Sequence, residues 1–436
     1  AEMAATAHRL LVEYEADFSS DAAGDDHRAF LRWRRMWRDR CEARGWEDPS
    51  RLAPFVRDLI ASGRVDLPRE VVIAGFDEIP PEKERILSAM EAAGASVCLA
   101  PCPSDGPADL TVIPCADPEE EMRRCARWAK GLLQVGETRI GVVVADLRSC
   151  LTPLSRIFAE EISPRSLLPW ETCDLPWGFS LGIPLSETGM VSAALAILRL
   201  ARTLSLDEAG LLLRSPFLAS GISEAHERAI LDRELRAKGE AQLSFDTLLY
   251  FSSEGVKGKG RSPLLHALLA KLKALSDEDA TATSRTRLPG DWADRFSARL
   301  AAAGWPGERS LDSRAYQVLS AMKNVLGDMA SLDAVSDPVP QGAAVALFAR
   351  LCEKQEFQPD APEAPVQVMG LLEAAGLDFD HLWLMGFHES VFPPPSAPNP
   401  FIPLPLQRAK EMPHATAERE YRFASGVASW LFRAAP

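Results

Sequence analysis

The sequence has few residues in the patterns that build metal sites, disulfide frameworks or membrane spans. Its 436 residues include eight cysteines and seven histidines, but no C-x-x-C and no H-x-x-x-H pair. Cys98 and Cys102 are the closest cysteines, and no second pair or nearby histidine completes a zinc site around them. Charged residues interrupt the apolar runs within about a dozen positions, so we expect no bilayer-spanning segment and no membrane partner.

The scattered cysteines also indicate the compartment, because unpaired thiols are typical of a reducing environment. Residues Ala1 to Leu11 contain no basic region followed by an apolar block, which argues against a secretory signal. We therefore expect a cytoplasmic protein. The formal net charge of −14 excludes a surface that is basic throughout, although a local basic patch remains compatible with it.

The motifs for nucleotide and nucleic-acid hydrolysis are also lacking. A Walker A loop requires G-x-x-x-x-G-K-[ST], and the best candidate step, Gly258 and Lys259, has Ser253 upstream and Gly260 downstream. None of the ten lysines has an acidic residue two positions earlier, as a PD-(D/E)xK nuclease would require. We predict no catalytic residue, no metal ligand and no cofactor in this chain.

The pattern of apolar residues predicts an N-terminal helical segment followed by alternating strands and helices. Ala7 to Ile60 reads as helical, and Phe30, Trp33 and Trp37 are spaced as one buried helix face. The predicted strands are Val71–Phe76, Ser96–Ala100, Leu110–Ile113 and Ile140–Val144; the predicted helices run from Pro81 to Ala93 and from Pro118 to about Leu133. This alternation indicates a parallel α/β sheet.

A long helical region interrupts the α/β pattern. Met190 to about Leu351 reads as helices, with a capping box at Ser205–Glu208. Gly255–Arg261 and Asp277–Pro289 are predicted to be flexible connectors. Strands then return at Val366–Met369 and His381–Gly386, before a last helix from about Thr416. The fold class predicted is an α/β parallel-sheet domain with a large all-helical insertion and an N-terminal helical segment.

Several segments in this order resemble UvrD/RecB-type superfamily 1 DNA helicases, and in particular their AddB/RecC-like relatives. Val366–Pro393, VQVMGLLEAAGLDFDHLWLMGFHESVFP, is similar to the segment that ends in a G-x-x-E-G-x-F-P-like turn. Val71–Pro81, VVIAGFDEIPP, resembles helicase motif II. GIPLS and LLRSPFL within Gly178–Leu218, and the tail PFIPLPLQRAKEMPHATAERE, resemble AddB-like DNA-repair proteins.

The resemblance implies a RecA-like, P-loop NTPase-like fold and a division into five segments. Residues 1–66 would be a 1B-like helical segment, and 67–116 the C-terminal part of a first RecA-like domain. Residues 117–189 and 361–436 would form a second RecA-like domain, split by a 2B-like helical insertion at 190–360. The Walker A loop would precede Ala1, and a PD-(D/E)XK exodeoxyribonuclease domain would follow Pro436.

The positions that contact phosphate or Mg²⁺ in active helicases depart from the family pattern. Motif II normally presents an acidic pair to Mg²⁺, but Ala74 and Gly75 stand there. Asp77 and Glu78 follow them, either as a shifted metal pair or, as we favour, as a solvated turn. In motif V the threonine, histidine and lysine positions are Gly370, Leu372 and Glu373, and Gly376 and Asp378 belong to the following G-L-x-F match. In motif VI Glu418 and Arg419 match, but the phosphate-sensing arginine is replaced by Ala428.

Two basic segments are candidate DNA contacts. His27–Trp46 is arginine-rich, and we select Arg28, Arg32, Arg35 and Arg38 as candidate phosphate ligands. A solvated amphipathic face balanced by nearby carboxylates is the alternative. The second segment contributes Lys257, Lys259 and Arg261, and an ordinary linker is its alternative.

We therefore expect a non-catalytic helicase-like scaffold that binds single-stranded DNA or a duplex end. The resemblance implies that it acts in bacterial double-strand break processing and recombination, with an AddA/RecB-like helicase-nuclease subunit as its partner. ATP and Mg²⁺ are expected only in that partner or in the nuclease domain. Two alternatives remain: an ATP-dependent helicase whose Walker A loop lies upstream, and a protein–protein docking module.

Overall fold

The computed structural model describes residues 2–19, 24–74, 76, 78–100, 109–168, 174–200, 203–281, 285–358, 364–374 and 376–435. The chain is a mixed α/β protein that is mostly helical. It divides into two compact units: the first comprises Ala1–Leu181 and Pro362–Pro436, and the second Gly182–Ala361. The five segments predicted from the sequence are a finer division, and they stay a prediction.

The secondary-structure elements follow one another as listed below. The first unit begins with α1 (Glu2–Glu13), α2 (Asp25–Arg44), α3 (Leu52–Ala61), β1 (Glu70–Ile73), α4 (Pro81–Ala92), β2 (Ser96–Leu99), α5 (Pro118–Val135), β3 (Ile140–Val144), α6 (Leu147–Ile162) and β4 (Trp177–Phe179). The second unit contains β5 (Ile183–Pro184), α7 (Gly189–Leu198), β6 (Thr203–Ser205), α8 (Leu206–Arg214), α9 (Ala225–Ala237), β7 (Gln242–Ser244), α10 (Phe245–Glu254), α11 (Pro263–Thr281), β8 (Thr286–Arg287), α12 (Pro289–Ala302), α13 (Ser313–Ser331), β9 (Val339–Pro340), α14 (Gln341–Lys354) and β10 (Glu356–Phe357). The first unit resumes with β11 (Val366–Gly370), β12 (His381–Met385), α15 (Leu404–Ala409) and α16 (Ala417–Leu431).

The centre of the first unit is a four-stranded, all-parallel sheet in the order β12-β3-β11-β4. Every residue of β3 is buried, as expected for a central parallel strand covered on both faces. Helices α5 and α6 pack together beside it. A Cβ on Gly141 would lie 2.8 Å from the ring of Phe379, so a larger residue at this strand position would force that ring to move. The parallel sheet predicted from the sequence is confirmed.

A separate parallel pair, β1 and β2, lies earlier in the first unit. Helix α4 packs against this pair and begins at Pro81, where the missing N–H of proline costs nothing. Val72 and Leu99 are 62% and 68% exposed, so the pair leaves much of its apolar surface uncovered. The helix and both strands were predicted within a few residues.

The second unit buries its own core of aliphatic and aromatic side chains, including Phe296 and Phe348, which are fully buried. Ser205 and Glu208 form the predicted capping box at the start of α8: the Glu208 N–H donates to Ser205 Oγ at 3.2 Å, and the Ser205 N–H donates to Glu208 Oε2 at 2.8 Å. The second unit lies in sequence between the neighbouring strands β4 and β11. It is mostly helical, but the prediction of an all-helical insertion is wrong, because the unit also contains the short strands β5 to β10.

Two predictions of strand and connector positions are wrong. Leu110–Ile113, within the described residues 109–168, forms no strand. Helix α11 extends through residues 277–281, which were assigned to a connector. Residues 255–261 connect α10 to α11, as predicted, through a turn in which Val256 and Lys259 pair through N–H···O bonds of 3.0 and 3.1 Å. Within the described residues, no helix is long and apolar enough to cross a membrane.

Candidate functional site

Helix α2 is the longest arginine-rich element, and a few buried contacts hold it in the first unit. Phe30 is 2% exposed, and its ring stacks on Phe401 at a centroid distance of 5.8 Å. Cys41, near the C-terminal end, is also buried, and burial raises its thiol pKa. Gly45 ends the helix in the left-handed conformation, with φ of 65°, which favours glycine. The helix is therefore anchored along one side only.

The prediction that Trp33 and Trp37 face inward with Phe30 is wrong. Trp33 is 50% exposed and touches Phe401 edge-on at 5.8 Å, and Trp37 is 41% exposed. The indole N–H of Trp37 donates to Asp48 Oδ2 at 3.0 Å. Periodicity shows which side chains share a helix face, but it does not show how far the neighbouring elements cover that face.

A hydrogen-bond network around Asp48 fixes this side of α2. His8 Nε2 lies 2.6 Å from Asp48 Oδ2, and the Ser50 N–H donates to Asp48 Oδ1 at 2.9 Å. Burial alone would raise the pKa of Asp48, but the bonds from Ser50, His8 and Trp37 outweigh it and lower that pKa. Asp48 therefore stays ionised and ties α1 to α2.

The arginines of α2 differ in their availability. Arg34 is engaged, since it donates to Asp17 at 2.9 Å and to His8 Nδ1 at 3.2 Å. Arg28 pairs with Asp25 at 2.6 Å, an exposed contact of little stabilising value. The remaining candidates are exposed and have no ion-pair partner within the part of the chain that the structure describes: Arg32, Arg35 and Arg38. These three guanidinium groups are free to bind phosphate.

The second basic segment lies on the ordered turn of the second unit. Lys257 and Lys259 are exposed, and Arg261 Nε donates to the Glu254 carbonyl at 3.1 Å. Lys257 itself has a positive φ of 52°. The turn presents two lysines to solvent, whereas the third predicted cation contributes to its internal structure.

Two helicase-like positions that are far apart in sequence meet in the first unit. Arg419, in the first turn of α16, donates to a carboxylate oxygen of Glu78, which follows β1. The same guanidinium donates to Glu420 Oε1 at 3.0 Å, and Glu420 is 1% exposed. Arg419 is itself 7% exposed and lies over the Phe423 ring at 5.3 Å. The motif VI-like arginine is therefore bound by two carboxylates.

The surroundings of this ion pair are partly buried. His414 Nδ1 lies 3.0 Å from Glu420 Oε2, and the His414 N–H donates to Glu420 Oε1 at 2.8 Å. Burial raises the pKa of Tyr14, and the Arg419 cation opposes that rise. Ala74, four residues before Glu78 in the sequence, is exposed, whereas Gly75 and Asp77 lie outside the described residues. The interpretation of Asp77 and Glu78 as a metal pair stays untested, but Glu78 has an arginine as its partner.

The carboxyl edge of the four-stranded sheet carries the motif V-like positions. The Gly370 N–H donates to Glu373 Oε2 at 2.7 Å, and the Ser180 hydroxyl donates to the same oxygen. At the end of β12, the Gly386 N–H donates to Glu121 Oε1 at 3.1 Å. Ligands of open α/β sheets bind at this edge, and free backbone N–H groups there are typical phosphate donors. In this chain, two such N–H groups bind carboxylates.

The remaining helicase-like positions have local structural environments. Gly376 has a positive φ of 80°, the conformation that favours glycine. The Asp378 carbonyl accepts a hydrogen bond of 2.7 Å from Arg139, and Leu372 is 62% exposed. Ala428 lies half-buried on α16. Within the described residues, no three or more His, Cys, Asp or Glu side chains cluster as potential metal ligands.

Sequence reasoning missed the pairing of Arg419 with Glu78 and the capping of Gly370 and Gly386 by carboxylates. The one sequence signal for the carboxylate caps was Glu373, an acidic residue at the position where motif V has a lysine. No known protein-family model matches the chain, and no curated protein is detectably similar to it in sequence.

Proposed function

We propose that this chain is the non-catalytic, helicase-like scaffold and DNA-binding region of an AddB-like bacterial DNA-repair protein. Three features support the proposal: free arginines on α2, a motif VI-like arginine occupied by Glu78 and Glu420, and carboxylates at the carboxyl edge of the sheet. The proposal extends to a RecA-like arrangement, because a helical unit is inserted between the neighbouring strands β4 and β11 of a parallel sheet.

The observation that carries the non-catalytic part is the carboxylate of Glu373 on the Gly370 N–H. A nucleotide phosphate at that position would find the backbone N–H already occupied and would be repelled by the carboxylate, so its binding there would be unfavourable. The same arrangement occurs at the end of β12, where the Gly386 N–H donates to the Glu121 carboxylate; β3 lies between β12 and β11 in the sheet. In this proposal, the ATP and Mg²⁺ needed for double-strand break processing are bound by an AddA/RecB-like partner or by a nuclease domain. The proposed location is the cytoplasm.

The experiment that tests the proposal compares ATP turnover with DNA binding in the same preparation. We expect no DNA-stimulated ATP hydrolysis by the chain in the absence of a partner subunit. We expect salt-dependent binding of a fluorescent oligonucleotide, because phosphate contacts release counterions. DNA-stimulated turnover in the absence of the partner would support the alternative of an ATP-driven helicase instead.

One observation favours the docking-module alternative as a second candidate. The β1–β2 pair and the following segment expose apolar side chains; these are Val72, Phe76, Leu99, Leu110 and Val112. Val72 and Leu99 point to opposite faces of the pair, so these side chains do not form one patch, but large exposed apolar area is typical of protein–protein contacts. A module of this type without DNA contacts would bind no oligonucleotide at any salt concentration, which separates it from the first candidate.

A further inference from the structure

Two ridges of side chains run side by side along the exposed part of α2. Residues four apart on a helix lie in one ridge, about 6 Å from each other along the axis. The first ridge has four arginines and a methionine: Arg28, Arg32, Met36, Arg40 and Arg44. The neighbouring ridge carries Trp33 and Trp37. Apolar and cationic side chains therefore alternate across one exposed surface.

The apolar members of these ridges are accessible and held in place. Met36 is 67% exposed and lies one helical turn from both Trp33 and Arg32. Trp33 is fixed by its edge contact with Phe401, and Trp37 by its hydrogen bond to Asp48. Both indole rings are held at one edge but keep much of their surface exposed. Because they are already held in place, little side-chain entropy would be lost when a ligand binds.

The charge of α2 and its exposed aromatic side chains together indicate which class of ligand fits this surface. Helix α2 contains seven arginines against four carboxylates, in a chain whose net charge is −14, so an anionic ligand is drawn to this helix and repelled by most of the protein. Duplex DNA offers phosphates but keeps its base faces stacked inside. Unpaired nucleotides offer both phosphates and base faces, and aromatic side chains beside cations are typical of sites that bind them.

We propose that Trp33, Met36 and Trp37 form a base-stacking surface for single-stranded nucleic acid. The phosphates of the strand bind Arg32, which borders the surface, and Arg40, whose guanidinium also lies over the Trp46 ring at 5.9 Å. The inference rests on the proposed DNA-binding function and narrows its ligand to unpaired strands. It assigns a role to the two tryptophans that the packing of α2 leaves exposed.

The test uses three ligands of equal length: an oligo-dT strand, an abasic strand with the same phosphates, and a duplex. We expect the wild-type chain to bind oligo-dT about tenfold more tightly than the abasic strand, as stacking of a single base provides. We also expect the wild-type chain to bind oligo-dT more tightly than the duplex. Equal affinity for oligo-dT and the abasic strand would overturn the stacking proposal and leave phosphate binding intact.

Substitutions then locate the effect on α2. Trp33→Leu should remove most of the preference for oligo-dT over the abasic strand and leave abasic binding unchanged, whereas Trp33→Phe should retain most of that preference. Phe55→Leu, at a 47% exposed aromatic residue of α3, is the matched control and should change neither affinity. An unchanged oligo-dT preference in Trp33→Leu would overturn the assignment to this surface.

Because Trp33 touches Phe401, folding of each variant is checked by circular dichroism and thermal unfolding. Met36→Gln provides an independent test, since Met36 has no packing role at 67% exposure. We expect it to lower oligo-dT affinity roughly twofold to threefold without changing abasic binding. If the wild-type chain binds none of the three ligands, the proposed DNA-binding function fails, which is a different result from the loss of base preference alone.

Discussion

Arg419 and Glu78 form an ion pair between two segments that are 341 residues apart in sequence. In the sequence, Glu78 lies in the segment that resembles helicase motif II, and Arg419 lies in the segment that resembles motif VI. In this chain the arginine is nearly buried and is neutralised by Glu78 on one side and by buried Glu420 on the other. The pair links the turn after β1 to the start of α16, so its role is structural.

We predict that the two partners contribute unequally to stability. Arg419→Met leaves buried Glu420 with only its contacts from His414, which should cost about 1–3 kcal/mol of unfolding free energy. Glu78→Gln removes a side chain that is 45% exposed, and should cost about 0–1 kcal/mol. Urea unfolding monitored by circular dichroism measures both. Equal losses in the two variants would contradict the assignment of Glu420 as the partner that requires compensation.

The sequence predicted the parts of the fold that depend on local patterns. Strand β3 was predicted with its observed ends, because five consecutive apolar residues between polar segments are typical of a buried parallel strand. Thr416 was predicted near the start of the last helix, and its side chain accepts the Arg419 N–H at 3.1 Å. Such signals lie within a few residues of one another, so no tertiary information is needed.

The errors occurred where distant segments decide the outcome. Strand β4 is only three residues long, and it is a strand because it pairs with β11, far along the chain. Trp33 shares its spacing with buried Phe30, but nothing covers its outer half among the described residues. The turn at residues 255–261 was predicted as a connector from its composition, but its close packing of Gly260 against the Leu231 backbone depends on a distant segment.

Glu82 gives a pH dependence whose sign follows from its burial. It is 3% exposed, its Oε1 atom has no hydrogen-bond partner among the described residues, and burial raises its pKa. The carboxylates of Glu13 and Glu15 raise that pKa further, whereas Arg57 and Lys83 oppose the shift. The folded state therefore binds the proton more tightly than the unfolded state, and stability falls as pH rises from about 4.5 through the raised pKa.

We predict that Glu82→Gln stabilises the protein at neutral pH, because the amide removes the buried charge. The gain should shrink as the pH falls through the raised pKa and should vanish well below 4.5, where the carboxyl group is protonated in both states. Thermal unfolding at a series of pH values measures it. Glu84→Gln, an exposed substitution in the same helical turn, serves as the control and should show no such pH-dependent gain.

The ordered turn in the second unit leads to a prediction about two glycines with similar backbone angles. Gly260 has φ of 74°, and a Cβ there would lie 2.6 Å from the Leu231 backbone nitrogen. Gly258 has φ of 78°, but a Cβ there would meet nothing within 4 Å. Both alanine variants incur the left-handed cost of about 1–2 kcal/mol, and Gly260→Ala adds an overpacking cost of about 1–3 kcal/mol. Urea unfolding that ranks Gly258→Ala as the more destabilised variant would contradict the ordered turn.

The free arginines of α2 should determine the salt dependence of DNA binding. Each phosphate contact with a single strand contributes about −0.7 to the slope of log K against log salt concentration. Arg32→Gln/Arg35→Gln should therefore make that slope shallower by about 1.4 and weaken binding to every sequence alike. Arg64→Gln/Arg69→Gln removes the same charge from exposed positions outside α2 and should leave the slope close to the wild-type value. Fluorescence anisotropy titrations at several salt concentrations compare the two variants, and identical slopes would mean that net charge, and not contact at α2, governs binding.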